Sequence, residues 1–189
     1  MKMLIQRHAN AKPAATDFDR QLSDIGRDQA VKMQAKLTAL NPDYGSPAIT
    51  LSSNAQRAID TVTTDGQRVR TMTELYPFGF TPELDAHFKR LSNAALRTYA
   101  IHDTAGDIQK WAAKAQQAIK ALLTTDDLLL YEEGYVLRIG CHGVVSMALA
   151  IEILGELNPE ARERLLDLVL GEACAILIHE DGRVEIIEP

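Results

Sequence analysis

Four side chains that could bind or transfer a phosphoryl group follow short apolar segments of the sequence. Arg7 and His8 come directly after the first segment, Arg57 lies shortly after the second, and His142 follows a later one. A phosphoryl group carries close to two negative charges, which positioned donors must meet during transfer. The planar fork of arginine suits phosphate oxygens, and each charge-assisted hydrogen bond contributes about 1.5–3 kcal/mol. Several such bonds would hold a phosphoryl group without a metal ion.

His8 is the candidate nucleophile of this group. An imidazole must be neutral to attack phosphorus, and two neighbouring arginines would lower its pKa from a reference value of about 6.5. Water would then hydrolyse the phosphohistidine, which is covalent catalysis in its general form. His142 would donate a hydrogen bond to the transferring group and share its charge. The other histidines, His87, His102 and His179, are not expected at the same place.

The elements that must position these residues alternate between strands and helices. Short apolar runs predict strands at 2–6, 48–52, 69–73 and 135–141, and a closing hairpin at 173–179 and 184–187. Helical spacing, with Ser23 and Asn54 as candidate N-caps, predicts helices at 24–40, 55–64, 143–154 and 160–170. This order predicts an α/β fold, a three-layer α/β/α domain with a mostly parallel central sheet. Such sheets bind ligands at the carboxyl ends of their strands, so the four side chains should meet at one edge.

Composition limits the class of protein. The chain has 189 residues, 46% of them hydrophobic, and fits a single domain spanning 1–189. A net charge of −6 without a basic stripe argues against nucleic acid as a partner. The apolar stretches are too short to span a membrane, and the first residues do not resemble a signal peptide, so we expect a cytoplasmic protein. Two cysteines without CxxC spacing predict neither a zinc site nor a disulfide framework.

Four motifs together resemble the histidine phosphatase (phosphoglycerate mutase-like) superfamily. Residues 4–9 (LIQRHA) resemble its Arg-His-Gly signature, with Ala9 in place of the commoner glycine. Residues 22–26 (LSDIG) resemble its L-(S/T)-x-x-G segment. Residues 51–58 (LSSNAQRA), continued by Thr61, and 139–143 (IGCHG) resemble its SSxxxRAxxT and second histidine blocks. Their order and spacing agree over nearly the whole chain, and RHAxA at 7–11 looks most like the SixA-type phosphohistidine phosphatases.

The resemblance implies a role for each matching residue. His8 would be the nucleophile, and Arg7, Arg57 and His142 would bind the phosphoryl group, with no metal or organic cofactor. Phosphomutase-like members place a glutamate after the third strand, and Glu74 is the nearest candidate for this general acid.

Two features are left open by the resemblance. Glu83 and Asp85 are alternative general acids, and the SixA-type branch often lacks such an acid. The segment at about 78–104 is longer than in the smallest members, and we expect a small helical insertion there that overhangs the site.

These features predict a metal-independent phosphatase that acts on a phosphohistidine protein or a phosphomonoester through a covalent phospho-His8 intermediate. One alternative is a small-molecule phosphatase or a phosphoglycerate mutase-like enzyme, although no long extension is present to clamp a substrate. Another is a non-catalytic phosphate- or protein-binding module on the same fold. Retention of all four phosphate-binding and catalytic positions argues against the module.

Overall fold

The computed structural model describes residues 1–63, 67–91, 94–125, 135–155 and 157–189. Within these residues, six strands form one sheet in the order β3-β2-β4-β1-β5-β6. They are β1 (Lys2–Arg7), β2 (Ile49–Ser53), β3 (Val69–Met72), β4 (Val136–Cys141), β5 (Ala175–Ile178) and β6 (Val184–Ile187). The first four strands are parallel, whereas β5 is antiparallel to β1 and β6 to β5. The predicted mostly parallel sheet is confirmed.

Helices cover both faces of this sheet. In the described part of the chain they are α1 (Asp24–Leu40), α2 (Pro42–Gly45), α3 (Gln56–Val62), α4 (Pro82–Arg90), α5 (Leu96–Ala100), α6 (Asp107–Thr125), α7 (Val145–Leu154) and α8 (Pro159–Asp167). A short 3-10 turn, Thr73–Leu75, follows β3. None of the helices in these segments has the length and apolar character needed to cross a membrane.

The three layers follow from side-chain alternation along the strands. On β1, Leu4 belongs to an apolar cluster with Met33 and Leu37 of α1, whereas Ile5 belongs to the cluster that contains residues of α6 and α7. Leu4 and Ile5 are both fully buried. A central strand that is apolar on both faces is typical of a parallel sheet covered on two sides. The predicted α/β/α layering is therefore confirmed.

Several predicted boundaries differ from the structure for local reasons. Asn54 does not cap α3, because the N-cap position is Ala55, and the Ala55 N–H donates to Ser53 Oγ. The predicted end of this helix, residue 64, lies outside the described residues. Helix α7 begins at Val145 and not at 143, because Gly143 has a φ of 27°. Strand β5 begins at Ala175 and not at 173, because Ala173 has a φ of 62°, which a strand does not accommodate.

Candidate active site

The carboxyl ends of neighbouring parallel strands bring the predicted residues together. Arg7 ends β1, and His8 follows it; Arg7 pairs in register with Cys141, the residue before His142. Arg57 lies in the first turn of α3, which follows β2, the other neighbour of β4. The rings of His8 and His142 meet edge to face with centroids 5.3 Å apart, and all four side chains are buried. Arg7 also donates a hydrogen bond to the Leu170 carbonyl.

The hydrogen bond of His8 fixes which ring nitrogen is free. His8 Nδ1 lies 2.8 Å from the backbone carbonyl of Ala9, and a carbonyl oxygen can only accept. Nδ1 therefore carries the proton, and Nε2 keeps its lone pair. Burial lowers the pKa of His8, and the charges of Arg57 and Arg7 lower it further, to about 3. The ring is neutral at pH 7 and nucleophilic at Nε2.

His142 is held from both sides of its ring. Arg57 Nη2, which can only donate, lies 3.2 Å from His142 Nδ1, and His142 Nε2 lies 2.6 Å from Ser53 Oγ. The bond from Arg57 requires an unprotonated Nδ1, so Nε2 carries the proton and donates to Ser53. Burial, together with the charges of His8 and the arginines, holds the pKa of His142 well below its usual value. The two histidines are thus neutral but have opposite tautomers.

A cavity of about 860 Å³ opens over these residues and is called the His8 cavity below. His8, Arg57 and His142 line its floor, and residues from the predicted insertion form part of its wall, among them Phe78, Phe80, Asp85, Phe88 and Lys89. The segment at 78–104 contributes α4 and α5 in its described part. Its predicted position over the site agrees with this lining.

Three solved structures of similar architecture are described as phosphatases. A mycobacterial glucosyl-3-phosphoglycerate phosphatase aligns with a TM-score of 0.66 at 20% identity, covering 99% of this chain and 97% of that one. A phosphoserine phosphatase from Entamoeba histolytica aligns with a TM-score of 0.62 at 18% identity, covering 98% of this chain and 94% of that one. A structure described as the putative phosphohistidine phosphatase SixA from Agrobacterium tumefaciens aligns with a TM-score of 0.58 at 19% identity, covering 100% of this chain and 98% of that one. No family model and no curated protein matches the sequence.

The chain has the histidine phosphatase fold. The resemblance that the four motifs indicate is thereby confirmed at the level of the fold. In this histidine phosphatase fold, motif residues other than the histidines and arginines also have identifiable contacts. These contacts concern the short loop after His8 and the packing of α3.

Thr61 of the SSxxxRAxxT block connects α3 to the loop that follows His8. Its buried hydroxyl accepts a 3.0 Å hydrogen bond from the Ala9 N–H and donates a 2.7 Å bond to the Arg57 carbonyl. Gly140 allows α3 to lie close to the sheet, since a Cβ there would come within 2.9 Å of Ser52 Oγ and 3.1 Å of the Ala58 carbonyl oxygen. Arg57 is therefore positioned relative to His8 by contacts at both ends of its helical turn.

The LSDIG segment supports the same loop from the other side. Ser23 is the N-cap of α1: its Oγ accepts from the Gly26 N–H at 3.0 Å, and it lies 2.6 Å from Asn10 Oδ1. Ser23 N–H also donates to the Asn10 carbonyl. A Cβ on Gly26 would lie 2.0 Å from that carbonyl oxygen. Only glycine at this position lets the first turn of α1 pack against the chain two residues beyond His8.

The candidate general acids occupy different places. Asp85 lines the His8 cavity and forms a 3.0 Å ion pair with Lys89. Glu74 lines a neighbouring cavity of about 320 Å³, which it shares with Trp111. Glu83 lies exposed in the first turn of α4. Of the three, only Asp85 lies at the cavity that contains the two histidines.

Asp17 and Tyr76 belong to the site although sequence reasoning assigned neither of them a role there. Asp17 Oδ2 accepts from Arg57 Nη2 at 2.6 Å and from the Tyr76 hydroxyl at 2.9 Å, and its backbone carbonyl accepts from Arg57 Nη1. Desolvation opposes ionisation of Asp17, but Arg57 and these hydrogen bonds outweigh it and lower the pKa of the carboxyl. Burial and Asp17 raise the pKa of Tyr76 to about 12. The only sequence signal for Asp17 is its place in a loop after an active-edge strand, where functional residues concentrate.

The chemistry available at this edge is nucleophilic and electrostatic. A neutral imidazole faces the cavity with an arginine and a second imidazole beside it. Within the described ranges, no group of three or more histidine, cysteine, aspartate or glutamate side chains is placed to hold a metal ion. The residues present can bind an anion and attack it.

Proposed function

We propose that this chain is a phosphatase that forms a covalent phosphohistidine at Nε2 of His8. The observation that supports this most directly is the hydrogen bond from His8 Nδ1 to the Ala9 carbonyl, because it leaves the lone pair on Nε2. That nitrogen belongs to a neutral ring in a cavity shared with Arg57 and His142. A neutral imidazole next to fixed cations is the arrangement that attack on a phosphoryl group requires.

The reaction would proceed in two displacements. Nε2 attacks phosphorus, and the bond from phosphorus to the leaving oxygen or nitrogen breaks. The leaving atom takes a proton from water or from a carboxylic acid, for which Glu74 and Asp85 are the candidates. Water then attacks the phosphohistidine, the P–N bond breaks, and inorganic phosphate leaves His8 free. We expect Arg7 and Arg57 to bind the phosphoryl oxygens, and His142 to join them once its Nε2–H turns from Ser53 to the phosphoryl group, so that the reaction uses neither a metal ion nor an organic cofactor.

The substrate that we propose is a phosphohistidine protein or a phosphomonoester. The mycobacterial relative has been solved with VO3 and with inorganic phosphate, and the Entamoeba histolytica relative with 3-phosphoglyceric acid. These complexes support a phosphorylated ligand for this chain as well. A phosphohistidine substrate would have little need for a general acid, because imidazole leaves phosphorus more readily than an alkoxide does.

The test is to trap the covalent intermediate. After incubation with a radiolabelled aryl phosphate, the wild-type chain should carry acid-labile, base-stable phosphate, and turnover should continue in the presence of EDTA. His8→Ala should lose both the label and turnover, by at least about a thousandfold in kcat. His102→Ala makes the same substitution outside the cavity and should retain both the phosphate label and turnover.

Three outcomes would contradict the proposal. Undiminished turnover in His8→Ala would exclude His8 as the nucleophile. Loss of activity with EDTA would exclude the metal-free mechanism. Tight binding of phosphate without label on the wild-type chain would favour a phosphate-binding module.

A further inference from the structure

All four phenylalanines of the chain line the His8 cavity. They are Phe18, Phe78, Phe80 and Phe88, and together they are called the phenylalanine wall here. Aromatic residues make up only 5% of the sequence, so their concentration at one cavity is not a consequence of abundance. Phe78 is 57% exposed, although burial of such a side chain is strongly favoured. An exposed aromatic side chain beside a reactive group indicates a ligand that covers it.

The wall consists of two groups of rings from separate segments. Phe18, from the loop after β1, lies 5.3 Å from the Tyr76 ring and 6.4 Å from the Phe78 ring, between centroids. Phe80 and Phe88 stack at 5.2 Å with their planes 12° apart. Tyr76 joins the wall to the reactive centre, because its ring lies 4.9 Å from that of His142. Rings in contact therefore extend from His142 through Tyr76 to Phe18 and Phe78 in the outer cavity.

The charged groups of the outer cavity are already paired with one another. Asp17 pairs with Arg57 and with Arg20, at 2.6 and 3.3 Å, and Lys89 pairs with Asp85 at 3.0 Å. A leaving group with a second anionic group, such as a carboxylate, would compete for these cations with the carboxylates of Asp17 and Asp85. An uncharged ring on the leaving group would add no competition beyond that of the phosphoryl group, and it would gain contact with the wall.

We propose that the His8 cavity selects phosphorylated substrates whose leaving group carries a planar aromatic ring, which packs against the phenylalanine wall. This inference rests on the proposed function and specifies its substrate class. The phenyl ring of phosphotyrosine and the imidazole of phosphohistidine share the required chemistry. The cavity volume of about 860 Å³ exceeds what a phosphoryl group alone would occupy.

The experiment compares an aromatic ring with a saturated one. Benzyl phosphate and cyclohexylmethyl phosphate both release a primary alcohol that carries a six-membered ring, and the variants below control for the slightly better leaving ability of benzyl alcohol because they leave the ester unchanged. We expect kcat/KM to be about tenfold higher for benzyl phosphate, and higher for it than for phosphoserine or 3-phosphoglycerate. A peptide containing phosphotyrosine and one containing phosphohistidine then distinguish the two natural sources.

Variants test whether the wall is responsible. Phe78→Leu and Phe18→Leu keep an apolar side chain and remove the ring, and each should lower kcat/KM for benzyl phosphate about threefold to tenfold. In each variant the ratio of kcat/KM for benzyl phosphate to that for phosphoserine should fall, and the inhibition constant of vanadate, which reports on the phosphoryl site, serves as the baseline. Tyr135→Leu removes another exposed aromatic ring, before β4 at the opposite end of the sheet, and should have no effect. Thermal unfolding establishes that each variant is folded.

The outcomes separate this inference from the proposed function. Equal kcat/KM for the benzyl and cyclohexylmethyl esters, or a preference for phosphoserine, would overturn the aromatic selection while labelled His8 still supports the phosphatase. A loss in Lys114→Ala, whose cation lines the neighbouring cavity, would instead indicate an anionic leaving group and would overturn the inference. Absence of labelled His8 with every ester would overturn both.

Discussion

Asp17 occupies two donors of Arg57 that the proposed reaction needs. Its carboxylate and its carbonyl oxygen both accept from the guanidinium, so an incoming phosphoryl group must share or replace this partner. The pKa of Asp17 is lowered, and the side chain is therefore a negative charge in front of an anion site. Asp17 thus opposes phosphate binding and, at the same time, orients the guanidinium of Arg57.

Replacement of this charge gives a prediction at the scale of one residue. Asp17→Asn should lower the inhibition constant of inorganic phosphate about fivefold, since one like charge at about 4 Å in water costs about 1 kcal/mol. The measurement is competitive inhibition of aryl phosphate hydrolysis. Asp19→Asn, on the same loop but bonded to Thr16, is the matched control and should leave the constant unchanged. An increase in the inhibition constant of Asp17→Asn would show that Asp17 organises the phosphate site and does not compete with it.

At the residue scale, the sequence identified those side chains whose motif and strand-end position coincide. His8, Arg57 and His142 were expected at one edge, and the structure brings them together there. Asp17 and Phe18 were not identified, because they lie in an irregular polar loop that has neither periodicity nor a fixed offset from a strand. Their contacts depend on the path of that loop, which tertiary packing determines.

At the scale of the element, the first turn of α1 determines where the loop after His8 runs. The helix packs so closely that a Cβ at Gly26 would lie 2.0 Å from the Asn10 carbonyl oxygen. Helix propensity alone would favour alanine over glycine inside a helix by about 1 kcal/mol. The close contact should reverse this preference, because backbone atoms cannot move aside as the end of a flexible side chain can.

The corresponding prediction is that Gly26→Ala is destabilising. We expect the free energy of unfolding in urea to fall by about 1–3 kcal/mol, the usual cost of forcing extra atoms into a packed site. The rate of aryl phosphate hydrolysis should fall as well, since residues 9–11 must shift. Ala35→Gly, at an exposed position of the same helix, is the control for ordinary helix propensity. Stabilisation by Gly26→Ala would mean that the loop yields without strain.

Prediction of elements succeeded where local signals agreed. Helix α1 begins after Ser23 and ends at Leu40 as predicted, because an N-cap hydroxyl and an apolar stripe specify the same helix. The starts of α3, α7 and β5 were wrong by one to two residues. At the starts of α7 and β5, Gly143 and Ala173 adopt positive φ values, and no periodic pattern in a sequence indicates the conformation of a single turn residue.

At the scale of the whole molecule, two buried neutral histidines make stability depend on pH. The pKa of His8 is about 3 in the folded chain, against about 6.5 for an exposed histidine, and that of His142 is also lowered. Between these pH values the unfolded chain binds more protons, so its free energy falls relative to the folded state as pH decreases. The contribution of the neutral His8 to the free energy of unfolding is complete above about pH 6.5 and is lost as pH falls towards 3.

His8→Gln should therefore flatten the pH dependence of stability. We expect the slope of unfolding free energy against pH, from pH 4 to 6, to decrease by up to about 1.4 kcal/mol per pH unit, which corresponds to one proton. Urea denaturation at a series of pH values measures this slope. The wild-type chain, measured over the same pH series, is the reference for this slope. An unchanged slope in His8→Gln would show that His8 is protonated in the folded chain.

The order of the strands also has a consequence for biosynthesis. The proposed nucleophile, His8, directly follows β1, and the neighbours of β1 in the sheet are β4 and β5, which occupy Val136–Cys141 and Ala175–Ile178. At about 5–20 residues per second, the ribosome would need on the order of 10–30 s to reach them after completing β1. Until then, an apolar strand has no partner on either side. The nascent chain should therefore remain without activity, and depend on chaperones, until its final third has emerged.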